Sequence, residues 1–306
     1  MPTEQELERA AELLRAGQLV GIPTETVYGL AANALDAVAV RRIYEMKGRP
    51  STSPLIVHVA TLEMARELTR EWPETATRLA ERYWPGPLTV VLPKRAIVPD
   101  EVTAGLDTVG IRMPSHPVAL EIIRRAGIPL AAPSANRFTQ LSPTTAAHVK
   151  QALGGDLMVL DGGPCDVGIE STVVSVRADA ITLLRPGMIA KADIQAVAGV
   201  LVVEAGAVSG AHPSPGMHER HYSPRTPVYL YEGGKLPPGR GVYLQLQRSA
   251  EAEQVIEMPR DPQGYAQRLY QVLHEADALS LDWIAVEMPP DSEEWRGILD
   301  RLKRAK

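Results

Sequence analysis

Residues 22–59 constrain the fold of this chain more than any other stretch: IPTETVYGLAANALDAVAVRRIYEMKGRPSTSPLIVHV. They read as a polar turn, an amphipathic run, a cationic turn and an apolar strand. A short apolar run, Leu19 to Ile22, leads in. Ala37, Val40, Ile43 and Tyr44 then recur at helical spacing. The helix should stop near Lys47, because Gly48 and then Arg49-Pro50 follow. Leu55 to Val59 is a short buried strand with His58 inside it. Strand, helix and strand in succession predict an α/β domain, in which ligand groups gather where strands end.

The rest of the chain repeats the alternation. Thr3 to Leu14 is a helix with Thr3 and Glu6 as a capping box and Gly17 as its stop. Helices follow over Leu62 to Leu68, Glu74 to Tyr83 and Pro117 to Ala126. Ser142-Pro143 should start another, with Ser as N-cap and Pro in the first turn. Strands are expected at Leu88 to Leu92, around Ile111, at Leu157 to Leu160, after Ser171-Thr172 and at Ile181 to Leu184. Residues 210–227, GAHPSPGMHERHYSPRTP, have the composition of a linker. Beyond it, strands at Val228 to Tyr231, Gly241 to Leu246 and Leu281 to Glu287, with helices at Tyr265 to Ala276 and Trp295 to Leu302, make a second, smaller α/β domain.

Several positions admit two readings. Lys47 and Arg49 at a helix exit are an anion site, or cations that complement the helix dipole. Arg112, flanked by Ile111 and Met113, faces opposite to them by strand alternation, toward solvent or into a cleft. Ser134-Ala135-Asn136 offers a hydroxyl and an amide to a ligand, or is a turn that caps itself. Trp84 wedges a rigid Trp-Pro-Gly-Pro turn against the core, or stacks on a base. Arg185 ends a strand beside Pro186 and Gly187. Four separated cations with small or polar neighbours suggest one strongly anionic ligand.

Other chemistries find little support. There is no P-loop and no dinucleotide fingerprint. The single cysteine, Cys165, permits no internal disulfide and has no base beside it. His212, His218 and His221 could form a metal site on spacing, but they lack a fixed repeat and lie in a Pro/Gly-rich stretch. Net charge is −5, with 32 basic and 37 acidic residues, which does not mark a nucleic-acid binder. Glu4, Glu6 and Glu8 do not suit a targeting segment, and no apolar run approaches a membrane span, so a soluble cytoplasmic protein is expected.

Lys47-Gly48-Arg49 and Ser134-Ala135-Asn136 resemble the K-x-R and S-x-N elements of the Sua5/YrdC/YwlC family, the threonylcarbamoyl-AMP synthases. The resemblance runs from about residue 5 to 195 and on through the linker. It implies an open, twisted, mainly parallel sheet with helices over 1–209. Residues 210–227 would fold back over the active site through His221-Tyr222-Ser223-Pro224. Residues 228–306 would form a small Rossmann-like Sua5 domain, a scaffold for the linker. The implied reaction joins L-threonine, bicarbonate or CO2, and ATP into L-threonylcarbamoyladenylate and diphosphate, for modification of the adenosine next to the tRNA anticodon.

Carried over position by position, the resemblance puts threonine on Thr26, His58, Arg112 and Ser171. Lys47 and Arg49 become the catalytic cations, facing the triphosphate with Ser53. Thr108, Ser134, Asn136, Ser142, Arg185 and Tyr222 serve the nucleotide. Mg2+ would come with ATP, with no dedicated protein metal site; Glu25 and Glu170 are the carboxylates near the motifs. A separate Kae1/TsaD-type enzyme would take the product to tRNA, without stable tRNA binding here. Two other classes compete. An RNA-binding module disagrees with the charge, and a hydrogenase-maturation carbamoyltransferase would carry zinc-finger cysteines that one Cys cannot supply.

Overall fold

A computed structural model describes residues 1–177, 179–205 and 222–306. The expected helix at the start is α1 (Glu4–Arg15). The Thr3 hydroxyl accepts from Glu6 N, and Glu6 Oε2 accepts from Thr3 N, while Leu7, Ala10, Ala11 and Leu14 are buried. The next elements are β1 (Val20–Ile22), β2 (Gly29–Asn33), α2 (Ala37–Lys47), β3 (Ile56–His58), α3 (Leu62–Glu67), α4 (Glu74–Tyr83), β4 (Leu88–Pro93), α5 (Asp100–Thr103), β5 (Thr108–Arg112), α6 (Pro117–Ala126) and β6 (Leu130–Ala131). They continue as α7 (Ala146–Leu153), β7 (Thr172–Val176), β8 (Ile181–Arg185), α8 (Lys191–Ala198) and β9 (Val202–Glu204). The second part holds β10 (Val228–Tyr231), β11 (Gly241–Gln245), β12 (Gln254–Glu257), α9 (Pro262–Ala278), β13 (Trp283–Glu287) and α10 (Arg296–Ala305).

The first sheet runs β1-β2-β6-β3-β5-β4-β7-β8-β9. Three neighbouring pairs, β3–β5, β4–β7 and β8–β9, are parallel and the others are antiparallel. The α/β class stands, but this sheet is mixed rather than mainly parallel. Residues 23–28 and 177–180 are too few for a helical crossover, so β1–β2 and β7–β8 pair as antiparallel neighbours. The second sheet, β10-β13-β11-β12, is parallel throughout, as a Rossmann-like domain requires.

Helices cover both faces of the first sheet. Leu30, Ala32, Val57 and Ile111 pack with α2 on one side, whereas Val20, Ile22, Ala31 and Leu130 pack with α1 and α6 on the other. Helix α2 ends where its sequence says: Gly48 adopts φ 61°, the left-handed conformation open to glycine. The expected helix start at Ser142-Pro143 is not found. Thr145 caps α7 by accepting from His148 N, and the Ser142 hydroxyl bonds elsewhere. Leu157 to Leu160 makes only one bridge, Val159 to Gly21, because β1 is a short edge. Six elements were not expected from the sequence: β2, α5, β6, α8, β9 and β12 are brief, and β12 is largely exposed, so no apolar face marks it.

The two parts share one core. Val27, Leu141 and Ile169 from the first pack with Tyr222 and with Tyr265, Leu269, Leu273 and Ile298 from the second. The backbones also meet closely. A Cβ on Gly297 would stand 2.5 Å from the carbonyl oxygen of Gly187. Across the same interface the rings of His148 and His274 stack at 3.9 Å, and His274 Nε2 lies 3.1 Å from the carbonyl of Ser142. Most of the 210–227 linker, with His212, His218 and His221, lies outside the described residues.

Two predictions come from this packing. Gly297→Ala should stabilise α10 by up to about 1 kcal/mol on helix propensity alone. Because its methyl meets a backbone carbonyl, the overpacking term, about 1–3 kcal/mol, should win. Urea unfolding of the full chain should show a net loss, and a gain would mean that the two parts separate easily.

The second concerns pH. Burial lowers all four described histidines: His58 to about 3, His148 to about 4, and His116 and His274 also below their ordinary range. The neighbouring Arg112 adds to the shift at His58, and His274 adds to that at His148. An unfolded histidine titrates near 6.5, so between about pH 6.5 and 4 the unfolded chain binds more protons than the native one. Stability should be full above pH 6.5 and fall as pH drops through that window. The urea midpoint should be lower at pH 5 than at pH 7.5, and His148→Gln should flatten part of the slope. A midpoint independent of pH would contradict the buried neutral state.

Candidate active site

The site lies on one face of the central strands. Alternation sends Val57 and Ile111 into the core and turns Ile56, His58 and Arg112 the other way, into a partly open cavity of about 50 Å³. Of the two readings of Arg112, the cleft is the one observed. The mixed sheet matters here. β5 ends, β7 begins and β8 ends at the same edge, since Val90 pairs with Ile111, Leu88 with Thr172, and Val173 with Arg185. Arg112, Ser171 and Arg185 thereby reach one cavity from three separate strands.

The turn between β1 and β2 folds over this face. The Thr24 hydroxyl donates to the carbonyl of Val27 at 2.6 Å and accepts from Val27 N, so the turn is held by its own side chain. That places Thr26 Oγ1 2.8 Å from Arg112 Nη1, which donates to it. Arg112 Nη2 lies 2.7 Å from Glu25 Oε1, a buried ion pair without the angle of a hydrogen bond. Both Glu25 oxygens are therefore buried with a charge partner and no hydrogen-bond donor.

The K-x-R element divides into two roles. Lys47 Nζ donates at 2.5 Å to the carbonyls of both Ser134 and Asn136, tying the helix exit to the S-x-N loop. Burial first, and then the charge of Arg49, pull its pKa well down. Arg49 does line the cavity. Its Nη2 donates to Ser53 Oγ at 2.6 Å and to the Pro54 carbonyl, its plane lies over the Phe138 ring, and its Nε has no partner. Burial lowers it to about 10, so it keeps its charge at neutral pH.

In the S-x-N element, Ser134 lines the cavity. The Asn136 amide instead donates to the carbonyls of Arg137 and Gln140, at 2.8 Å each, which is the self-capping turn. Arg185 donates from Nε to the Ser171 carbonyl and from Nη2 to Ser171 Oγ. Tyr222, 1% exposed, also lines the cavity.

Eight of the residues carried over from the motifs thus meet in the cavity: Thr26, His58, Arg112 and Ser171 with Arg49, Ser134, Arg185 and Tyr222. Lys47, Ser53 and Asn136 stand behind them as supports. Ser142 reaches the site only through Glu170, to which its hydroxyl donates at 2.5 Å. Thr108 sits at the other end of β5 from Arg112. Two alternatives close. Cys165 is buried and its thiol is pushed up by burial, which rules out an activated nucleophile. Trp84 packs with Trp72 at 6.0 Å and donates to the carbonyl of Leu88, as a wedge does.

Sequence reading missed Arg301 and Tyr270, which arrive from the second domain and meet at Glu170, a carboxylate already placed near the motifs. Glu170 lines the cavity, and its carboxylate accepts from Arg301 Nε at 2.7 Å and from the Tyr270 hydroxyl at 3.1 Å. Burial would raise its pKa, but Arg301, Arg185 and the Ser142 hydroxyl hold it down to about 2. Arg301 sits in the run DRLKRAK, which reads as a solvated helix face, and only tertiary packing shows it to be buried. Neither acidic residue near the motifs is free for a cation: Glu25 faces Arg112 and Glu170 faces Arg301. Among the described residues no cluster of three metal-ligating side chains occurs, and no helix is long and apolar enough to cross a membrane.

Comparison with known proteins agrees with this geometry. Residues 12–187 match the Sua5/YciO/YrdC family model described as "Telomere recombination", and residues 189–306 match "Threonylcarbamoyl-AMP synthase, C-terminal domain". A threonylcarbamoyl-AMP synthase of Bacillus subtilis is 43% identical over 99% of this chain and 93% of its own length. The crystal structure of Pyrococcus abyssi Sua5 complexed with L-threonine superposes with a TM-score of 0.92, at 38% identity over 100% of this chain and 95% of that one. A full-length HypF shares the fold at 24% identity and TM-score 0.52, and this chain spans only 28% of it. With both family models matched in order along a chain whose cavity gathers residues of the K-x-R and S-x-N elements, this chain belongs to the Sua5/YrdC family of threonylcarbamoyl-AMP synthases, in its two-domain form.

Proposed function

We propose that this chain forms L-threonylcarbamoyladenylate and diphosphate from L-threonine, CO2 or bicarbonate, and ATP, with both organic substrates meeting in the cavity described above. One observation carries the reading: the threonine set, Thr26, His58, Arg112 and Ser171, lines the same cavity as Arg49, Ser134, Arg185 and Tyr222 of the nucleotide set. The deprotonated threonine amine attacks CO2 to give a carbamate. A carbamate oxygen then attacks the α-phosphorus of ATP, and diphosphate leaves. No protein nucleophile is needed, so the work of the site is orientation, charge stabilisation and exclusion of water from a labile intermediate.

Arg112 is the carboxylate receptor, because a guanidinium fork matches a carboxylate. His58, neutral at working pH, accepts or donates without adding charge beside Arg112. Arg49, with Ser53 behind it, and Arg185 face the phosphates. Lys47 acts by holding the 134–136 loop, and Asn136 and Ser142 by shaping its neighbours. Thr108 stays with the nucleotide set by resemblance alone. Magnesium belongs to the substrate side. Glu25 and Glu170 are both engaged by arginines, so the ion would be carried by phosphate oxygens and water.

The domain division, with catalysis in 1–209, a covering linker at 210–227 and an accessory domain at 228–306, follows the same reading. Transfer of the product to tRNA falls to a separate Kae1/TsaD-type enzyme in the same, cytoplasmic, compartment.

Labelled bicarbonate should appear in a threonylcarbamoyl-AMP product by mass analysis, with one diphosphate per product. Two substitutions then separate the substrate sets. Arg112→Ala should weaken threonine binding by about ten-fold or more, from loss of a charge-assisted contact, and ATP binding much less. Arg49→Ala should do the reverse, lowering diphosphate release by about ten-fold or more at limiting ATP. Calorimetry of each ligand separately reads both. Equal losses for the two ligands in either variant would make that arginine structural.

A further inference from the structure

The C-terminal domain does more than support the linker. Its last helix, α10, sends Arg301 through the domain interface, and the side chain is wholly buried. The guanidinium makes four kinds of contact with the site. Nε donates to Glu170 Oε2 at 2.7 Å, and Nη2 donates to the Glu170 carbonyl at 3.1 Å. Nη1 donates to the carbonyl of Pro186, next to Arg185, at 2.9 Å. The plane also lies over the Tyr222 ring, 5.4 Å from its centre. One side chain thus touches Glu170 and Tyr222, which line the cavity, and the neighbour of a third lining residue.

Glu170 is an odd presence there. A cavity lined by Arg49, Arg112 and Arg185 is built for anions, and a bare carboxylate on its wall would repel a triphosphate. The Ser142 and Tyr270 hydroxyls bond both of its oxygens but supply no charge. Arg301 supplies it. Asp300 also contacts Arg301, at 2.8 Å from Nη1, but on the side away from the Nε that holds Glu170. We propose that Arg301 is a positioning residue of the active site: it neutralises Glu170 and aims it away from the nucleotide, and so sets the affinity for ATP from the second domain. The proposal rests on the reading that ATP occupies this cavity.

The test uses the full chain and four variants, Arg301→Met, Arg301→Lys, Glu170→Gln and the Glu170→Gln/Arg301→Met double, with KM measured separately for ATP and threonine. Arg301→Met exposes the charge of Glu170, and the KM for ATP should rise about ten-fold or more, with that for threonine within about three-fold of the parent. Removing the carboxylate as well should undo the effect, so the double variant should fall within about three-fold of Glu170→Gln alone. Arg301→Lys, which keeps the charge, should lie closer to the parent than Arg301→Met. Equal rises for both substrates, or a double variant as poor as Arg301→Met, would overturn the proposal and leave Arg301 a packing residue. Should Arg301→Met not fold, the double variant decides: folding with near-parental KM for ATP supports the proposal, and failure to fold overturns it. Calorimetry on the parent chain keeps the two readings apart. Absent ATP binding there defeats the functional reading, whereas normal parent binding with unresponsive variants defeats only this inference.

Discussion

Four cations, Lys47, Arg49, Arg112 and Arg185, are buried around one small cavity, and the rest of the structure answers to that crowding. Taking a charge out of water costs several kcal/mol unless it is paired or fully hydrogen-bonded. Each cation has a different remedy. Lys47 is capped by two backbone carbonyls, Arg49 by Ser53, the Pro54 carbonyl and the Phe138 face, Arg112 by Thr26 and Glu25, and Arg185 by Ser171. Those partners come from the two motif loops, from the turn between β1 and β2, and from the start of β7. The Asn136 element of one motif thus solvates the buried charge of Lys47 in the other.

That arrangement leaves the cavity positive, which is what a site for a triphosphate and a carboxylate needs. Orientation of two anions in a water-poor space is difficult without fixed counter-charges, because the two repel each other and an apolar wall does not replace their lost hydration. The fold supplies them from rigid strand ends. A wholly parallel sheet would put the start of β7 and the end of β8 at opposite edges. The antiparallel β7–β8 pair brings Ser171 and Arg185 to the same place.

The two domains meet at this site rather than at a separate hinge. Their interface combines a common apolar cluster, a close approach of Gly187 and Gly297, and a buried Glu170–Arg301 pair. A buried ion pair contributes little net stability compared with an apolar one of the same shape, but losing one partner is costly. Such a pair makes the geometry of the site depend on the second domain being in place.

Much of this was legible from the chain. Helix limits were written in local chemistry: Thr3 and Glu6 at one start, Gly48 at one stop. Strand alternation said that Arg112 turns away from Ile111, and the family resemblance named eight of the fifteen residues that line the cavity. The start of α7 was misread, since Ser142 and Thr145 both make acceptable caps and only the partner Glu170 decides which is used. Sheet direction was not legible either, because a short apolar run looks the same in parallel and antiparallel pairs. The tertiary structure alone decided whether Asn136 faces a ligand or its own loop, which carboxylate answers each arginine, and that Arg301 leaves a charged helix end for the interior. Those choices depend on desolvation and on partners more than a hundred residues away, as with Glu170 and Arg301, and no local pattern encodes such distances.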